Sequence, residues 1–232
     1  MNISVVIATY NERENIRSLV PKVLSLREDI KVLIVDDSSP DGTGKIAEEL
    51  AEKTGRVKVI HRDKKRGLGS ALRIGLEKTL GDGADLVATM DADHSHAPEH
   101  ILQMIELSTN YDIIVGSRYV EGGGVVNWGL QRVILSKTAN FYARTVSGLK
   151  VKDCTSNYRL YSAKFLKSLN FGRIYSDGYS FLVELLILAQ HGGFRILEFP
   201  IVFKDRVEGR SKINLSEILG GALNILKHRV KS

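Results

Sequence analysis

Apolar residues in the first half of the chain alternate between short unbroken runs and helical spacing. Residues 3–8 read Ile-Ser-Val-Val-Ile-Ala, a β-branched run of the kind found in strands buried on both faces. Asn11 is placed to cap the helix that follows, with Glu14 three residues on as its reciprocal partner. Ile16, Leu19, Val20, Val23 and Leu24 then recur on one helical face. The strand signal returns at 31–36, 56–61, 85–90 and 111–116. Between these runs, Asp41 or Thr43 caps a second helix, and Leu68, Ala71, Leu72, Gly75 and Leu76 mark a third. Pro98 suits the first turn of a fourth, which runs through Leu107. This rhythm predicts βαβ units and a mostly parallel sheet flanked by helices. Ligands of such sheets bind beyond the carboxyl ends of the strands. That rule selects residues 9–12, 36–41, 91–96 and 117–118.

The second half has a different pattern. Gly122, Gly123 and Gly124 predict a flexible joint, followed by a helix over 130–146. A second apolar helix is expected at 181–189, a strand at 194–203 and a polar, glycine-containing loop at 207–211. Leu215, Ile218, Leu219, Ala222, Ile225 and Leu226 share one face of an amphipathic helix over 213–232. That face suits packing on the domain or lying on an anionic membrane. Trp128, beside the glycines, suits a half-buried core position, the mouth of a site or a membrane interface.

The 232 residues suffice for one large α/β domain, and a second independent core is not expected. No stretch approaches the roughly 20 apolar residues of a membrane span. The N-terminus lacks the basic region of a signal peptide and reads as a first strand. Cys154 is the single cysteine. An intramolecular disulfide is excluded, a reducing compartment is expected, and the thiol reads as a small buried hydrophobe. The formal net charge of +6 suits an anionic partner such as nucleic acid, lipid headgroups or a phosphorylated substrate. Local basic clusters occur at Arg62, Lys64, Lys65 and Arg66, and again at Lys227, Arg229 and Lys231.

The candidate chemistry sits at the strand ends. Asp91-Ala92-Asp93 follows an apolar run, and side chains two residues apart project to the same side. Two carboxylates so placed can bind Mg²⁺ or Mn²⁺, with diphosphate oxygens completing the octahedron. Asp36 and Asp37 end the second run, where carboxylates can accept hydrogen bonds from a base or ribose. Tyr10, ending the first, can stack on a base. The histidines show no zinc-like spacing, and His94 and His96 are expected to add loop polarity rather than ligation.

Together these strings resemble the GT-A glycosyltransferases of the large inverting family 2. The resemblance rests on residues 5–14, the Asp36-Asp37 loop and Asp91-Ala92-Asp93. The strings Gly116-Ser117-Arg118-Tyr119, 132–136 and 205–212 look like those of dolichol-phosphate mannosyltransferases within that family. The resemblance implies a Rossmann-like GT-A catalytic domain over 1–212 and a C-terminal amphipathic, membrane-associated helix over 213–232. It implies that Ala8, Tyr10, Glu12, Val35 and Asp37 line the nucleoside pocket of a GDP-mannose donor. Ala8 stands where proline is common. Asp91 and Asp93, with Ser95, would hold Mg²⁺ or Mn²⁺ against the diphosphate, with Ala92 between them. Arg206 and Lys212 would lie over the diphosphate as a mobile loop closes, and Arg118, Arg132 and Ser136 would face the phosphate of a dolichyl or polyprenyl acceptor. The implied enzyme works peripherally at the cytoplasmic face of a membrane, with further membrane helices or a separate membrane-anchoring subunit as partner.

Two other readings are weighed. A UDP-glucose-dependent polyprenyl-phosphate glucosyltransferase would use the same machinery. A nucleotide- or nucleic-acid-binding regulator would suit the charge. The chain, however, lacks a Walker lysine motif, a Gly-x-Gly-x-x-Gly turn after the first run and the aromatic-basic interleaving of an RNA platform, so nucleic acid is not expected as a partner.

Overall fold

The computed structural model describes residues 1–174 and 176–205. The parallel half follows the sequence pattern closely. Strand β1 (Ile3–Thr9) leads into helix α1 (Arg13–Ser25), β2 (Ile30–Asp36) into α2 (Thr43–Thr54), and β3 (Val57–His61) into α3 (Leu68–Gly81). Strand β4 (Leu86–Met90) then precedes α4 (His100–Leu107) and β5 (Ile113–Ser117). Strand β1 pairs in parallel with both β2 and β4, so Ala8 stands opposite Val35 and Ile7 opposite Met90. The three strands therefore end together.

Alternation along β1 divides the core in two. Val6 faces one side with Leu72, Leu76 and Phe181, while Val5 and Ile7 face the other with Ile16, Leu19, Ile46 and Ile101. Helices α1, α2 and α4 cover the second side and α3 the first. Gly75 lets α3 lie close on the sheet, since a Cβ there would collide with Val6 Cγ1.

The structure departs from expectation in four places. After the short β6 (Gly124–Val126) and the long α5 (Leu130–Ser147), strand β7 (Arg159–Ser162) inserts antiparallel between β4 and β5. Helix α6 (Ala163–Ser168) and helix α7 (Tyr179–His191) follow. The strand expected at 194–203 is two: β8 (Ile196–Pro200) extends the main sheet beside β5, and β9 (Val202–Lys204) pairs with β6 in a separate two-stranded sheet. Pro200 ends β8, and at Ile201 the chain passes between the two sheets. The main order is β3-β2-β1-β4-β7-β5-β8.

The glycine run is a packed turn rather than a loose joint: the Gly123 N–H donates to Val120 O at 2.9 Å, and a Cβ on Gly123 would come within 2.6 Å of Ser117 O. Asn11 does not cap α1. It takes a left-handed backbone (φ 58°), and Asp41 caps the helix from the neighbouring loop by accepting the Arg13 N–H at 3.2 Å. The same Asp41 accepts the Thr43 N–H at 2.9 Å at the start of α2, as its sequence position suggests. The 212/213 domain boundary, the loop at 207–211 and the C-terminal helix lie outside the described residues.

Two glycines of α3 provide an internal comparison. Gly81→Ala meets no atom within 4 Å and should be neutral or mildly stabilising, as alanine favours helix. Gly75→Ala should fall about 1–3 kcal/mol below it through overpacking. Urea denaturation of the two variants measures the difference.

Candidate active site

Loops at the carboxyl edge of the sheet are bound to one another. Asp36 Oδ1 accepts from Thr9 Oγ1 at 2.8 Å and Ser39 Oγ at 2.6 Å, and its Oδ2 accepts the Ser39 N–H. The Glu12 N–H donates to Thr43 Oγ1 at 2.9 Å. Asp37 is buried, with the Arg62 guanidinium on Oδ1 and the Arg66 N–H on Oδ2 at 3.1 Å. Its carboxylate thus organises the 62–66 loop as well as facing this edge. Ala8 and Val35 form adjacent floor positions. Tyr10 follows β1, with Lys65 Nζ 4.4 Å above its ring. The side chain of Glu12 accepts from Asn15 Nδ2 at 2.7 Å.

The Asp91-Ala92-Asp93 turn leaves β4 beside these loops. Asn157 Nδ2 donates to Asp91 Oδ1 at 2.9 Å. Asp93 Oδ1 accepts both the Ser95 N–H (3.1 Å) and Ser95 Oγ (2.5 Å). Ser95 therefore orients the Asp93 carboxylate. Ala92 is buried beneath the turn. Asp91 Oδ2 has His96 Nε2 4.0 Å away. Oxygen donors of this kind suit a hard divalent cation. Among the described residues no cluster of three or more His, Cys, Asp or Glu side chains could hold a metal, so a cation beside Asp91 and Asp93 would take further oxygens from outside that set, such as water or a bound ligand. His96 is buried, and that burial lowers its pKa, against the pull of Asp91 and Asp93.

The second cluster surrounds the start of α5. Arg118 makes a bidentate pair with Asp153, Nε and Nη2 each at 2.7 Å, and Nη2 reaches Thr155 Oγ1 at 2.8 Å. Burial opposes both charges, but each stabilises the other: Arg118 is raised above its ordinary pKa, and Asp153 is held below the usual carboxylate range. Arg132 Nη1 pairs with Asp205 at 2.6 Å, and its guanidinium lies 4.1 Å from the Trp128 ring. Ser136 Oγ accepts from Tyr119 Oη at 2.6 Å. Arg132 Nε and Trp128 Nε1 are shielded from solvent and have no hydrogen-bond partner among the described residues.

The structure brings Arg118, Arg132 and Ser136 into one cluster and Asp91, Asp93 and Ser95 into another. Arg206 and Lys212 lie outside the described residues. Sequence reasoning did not find Asn157, Asp153, Thr155 or Arg159. The signal for them was the polar run 152–159 lying between a helix and an apolar strand. Arg159 is fully buried and donates to the carbonyls of Ser156, Leu182 and Cys154 at 2.7–2.8 Å. Non-glycine residues with a left-handed backbone among the described residues are Asn11, Ser38, His94 and Asn127. They sit in the loops after β1, β2, β4 and β6, and strain of this kind gathers at functional sites.

The family model described as glycosyl transferase family 2 matches residues 4–169. The polyprenol monophosphomannose synthase of Mycolicibacterium smegmatis is 43% identical over 216 residues, 92% of this chain and 82% of its own length. The undecaprenyl-phosphate mannosyltransferase of Micrococcus luteus is 37% identical over 227 residues, 98% of this chain and 93% of its own. The structure of glucosyl-3-phosphoglycerate synthase from Mycobacterium tuberculosis with Mn²⁺, uridine diphosphate and glucosyl-3-phosphoglycerate superimposes with a TM-score of 0.69 at 21% identity. It covers 98% of this chain and 79% of that one. The fold is thus GT-A.

Asp153→Ala strands a buried guanidinium and should lower stability by about 3–5 kcal/mol, read as a shift in the denaturation midpoint. The Cys154 thiol, its pKa pushed up to about 12 by burial, should resist alkylation at neutral pH until the protein unfolds, so mass-detected labelling in urea should track the unfolding curve.

Proposed function

The chain belongs to glycosyl transferase family 2, and on that footing we propose that it is an inverting mannosyltransferase. It moves mannose from GDP-mannose to a polyprenyl or dolichyl phosphate with a divalent cation, Mg²⁺ or Mn²⁺, and forms polyprenyl-phosphate mannose. The observation that carries this reading is the pairing of two clusters. A carboxylate pair ends β4, and a cluster of arginine, hydroxyl and unpartnered donor groups stands beside it at the start of α5. The names of the two bacterial relatives support mannose and a polyprenyl acceptor. The more distant structural neighbour was solved with Mn²⁺ and a nucleoside diphosphate.

Each cluster has a distinct task. Ala8, Tyr10, Glu12, Val35 and Asp37 line the nucleoside side, where Tyr10 supplies a ring face and Asp37 fixes the loop bearing Arg66. Asp91 and Asp93 would hold the cation, which when bound offsets the charge that gathers on the leaving diphosphate. Ser95 and Asn157 aim those carboxylates. Arg206 and Lys212 belong to the same reading as groups that close over the diphosphate. On the acceptor side, Arg132 Nε, Trp128 Nε1 and Ser136 offer donors to a phosphate anion. Arg118, sealed against Asp153 and bonded to Thr155 Oγ1, braces the loop beside these donors. A phosphate oxygen attacks the anomeric carbon from the face opposite the diphosphate, and the bond to the diphosphate oxygen breaks with inversion. The nucleophile is already ionised at pH 7, so no general base is required; catalysis is positioning and electrostatics.

The lipid acceptor places the enzyme peripherally at the cytoplasmic face of a membrane, with a membrane-anchoring subunit or membrane helices as candidate partners. Leu130, Ile134 and Phe141 on α5 support this: they are 75%, 56% and 67% exposed, and α5 carries Arg132, Lys137 and Arg144 but no acidic residue. No helix among the described residues is long and apolar enough to cross a membrane.

Transfer of labelled mannose from GDP-mannose to a short polyprenyl phosphate tests the reading. Lipid labelling should need Mg²⁺ or Mn²⁺ and should fall at least about a hundredfold in Asp93→Ala, in keeping with the several kcal/mol a cation supplies. Arg132→Ala should raise the acceptor KM. Labelling from UDP-glucose but not from GDP-mannose would replace the donor and keep the chemistry. Labelling from neither would overturn the reading.

A further inference from the structure

His96 touches the first cluster directly and reaches the second through Phe203. Its Nδ1 accepts the Asp91 N–H at 3.1 Å, so that nitrogen carries no proton and Nε2 bears the ring's own. The ring is closed in on both sides: Tyr158 stacks on it with centroids 4.6 Å apart and planes 14° apart, and Phe203 meets it edge-on at 5.3 Å. Tyr158 is itself pinned, its hydroxyl donating to Ala97 O at 2.6 Å.

The row continues toward the acceptor cluster. Trp128 meets Phe203 edge-on at 5.3 Å, and Arg132 lies 4.1 Å from the Trp128 ring. Arg118 is 5.6 Å from the Phe203 ring and 5.4 Å from that of Trp128. The backbone follows the same path, since the Lys204 N–H, next to Phe203, points to Ser95 O at 3.4 Å and the Asp205 N–H donates to Val126 O at 3.0 Å. Rings packed edge to face transmit position because they have few alternative rotamers.

We propose that His96 is a positioning residue. Its ring holds the Asp91 backbone and so sets where the Asp91 carboxylate stands, while Phe203 and Trp128 set where the ring stands. The cation loop and the acceptor arginines thus share one aromatic support. The inference rests on reading Asp91 and Asp93 as the cation-holding pair. Partners that orient a metal ligand commonly contribute about 10–100-fold in metal affinity.

The test is Mn²⁺ binding to the full chain in the presence of GDP, followed by the electron paramagnetic resonance signal of free Mn²⁺. It needs no turnover. His96→Ala should weaken Mn²⁺ about tenfold or more, and His96→Asn, which sets an acceptor oxygen close to where Nδ1 stands, should recover part of the loss. Phe203→Leu should weaken Mn²⁺ by a smaller factor and also raise the acceptor KM, whereas Val202→Ser, on the exposed side of β9, should do neither. Far-UV circular dichroism establishes that each variant is folded. Should His96→Ala fail to fold, the Phe203→Leu and Val202→Ser pair decides. A folded His96→Ala with wild-type Mn²⁺ affinity, or equal affinities in the Phe203→Leu and Val202→Ser pair, sinks the inference and leaves the mannosyltransferase reading intact. A wild-type chain that retains no Mn²⁺ with any nucleoside diphosphate removes the cation reading and this inference with it.

Discussion

Backbone N–H groups beyond the end of a parallel strand have no ladder to join, and where they are shielded from water they need an acceptor. In this protein the aspartates of neighbouring loops supply it. Asp36 takes Ser39, Asp37 takes Arg66, and Asp41 takes both Arg13 and Thr43. Because β1, β2 and β4 end together, each loop lies within reach of the next. The carboxylates that make this edge acidic are therefore also its scaffold. Only part of their hydrogen-bonding capacity remains for a ligand, because Thr9, Ser39, Arg62 and Arg66 already share Asp36 and Asp37.

The cluster at the start of α5 solves the opposite problem with the same means. Two arginines close together in sequence are placed in unlike settings. Arg118 is sealed against Asp153 and keeps its charge through two short bonds, while Arg132 is partly exposed, stacked on Trp128 and held through one nitrogen. The first is fixed electrostatics; the second has donor capacity left to offer. Asn140 ties the helix to the loop between them, since it donates to Ser136 O and Thr155 Oγ1 and accepts the Cys154 N–H.

Much of the parallel half was legible in the sequence because strands buried on both faces read as continuous apolar runs, as in residues 3–8 and 85–90. Strand β7 was not. Its four residues begin with Arg159, which reads as a surface residue, and only the three carbonyls that surround it make it a core residue. The run 194–203 misled for the converse reason: its apolar pattern is continuous, but at Ile201 it changes sheets. Asn11 had the right chemistry to cap α1, yet a residue thirty positions away took the role, which local pattern cannot show. The carboxylate pair was visible from its spacing after an apolar run, and the arginines only as a resemblance. Their supports, Asn157, Asp153 and the setting of His96, exist only through tertiary contacts.

The antiparallel β7 also dictates an order of assembly. Strands β1 to β4 can pair as soon as they leave the ribosome, each beside a strand already made. Strand β5 cannot join them, for its neighbours in the sheet among the described residues are β7 and β8, and β7 lies more than forty residues further along. As synthesis proceeds, the half built from β1 to β4 can mature first, while β5 waits unpaired until residues 159–162 close the seam. A growing chain paused before that point would present the aspartate-rich edge nearly formed and β5 still unpaired, which makes the span from β5 to β7 the interval in which a nascent chain most needs a chaperone.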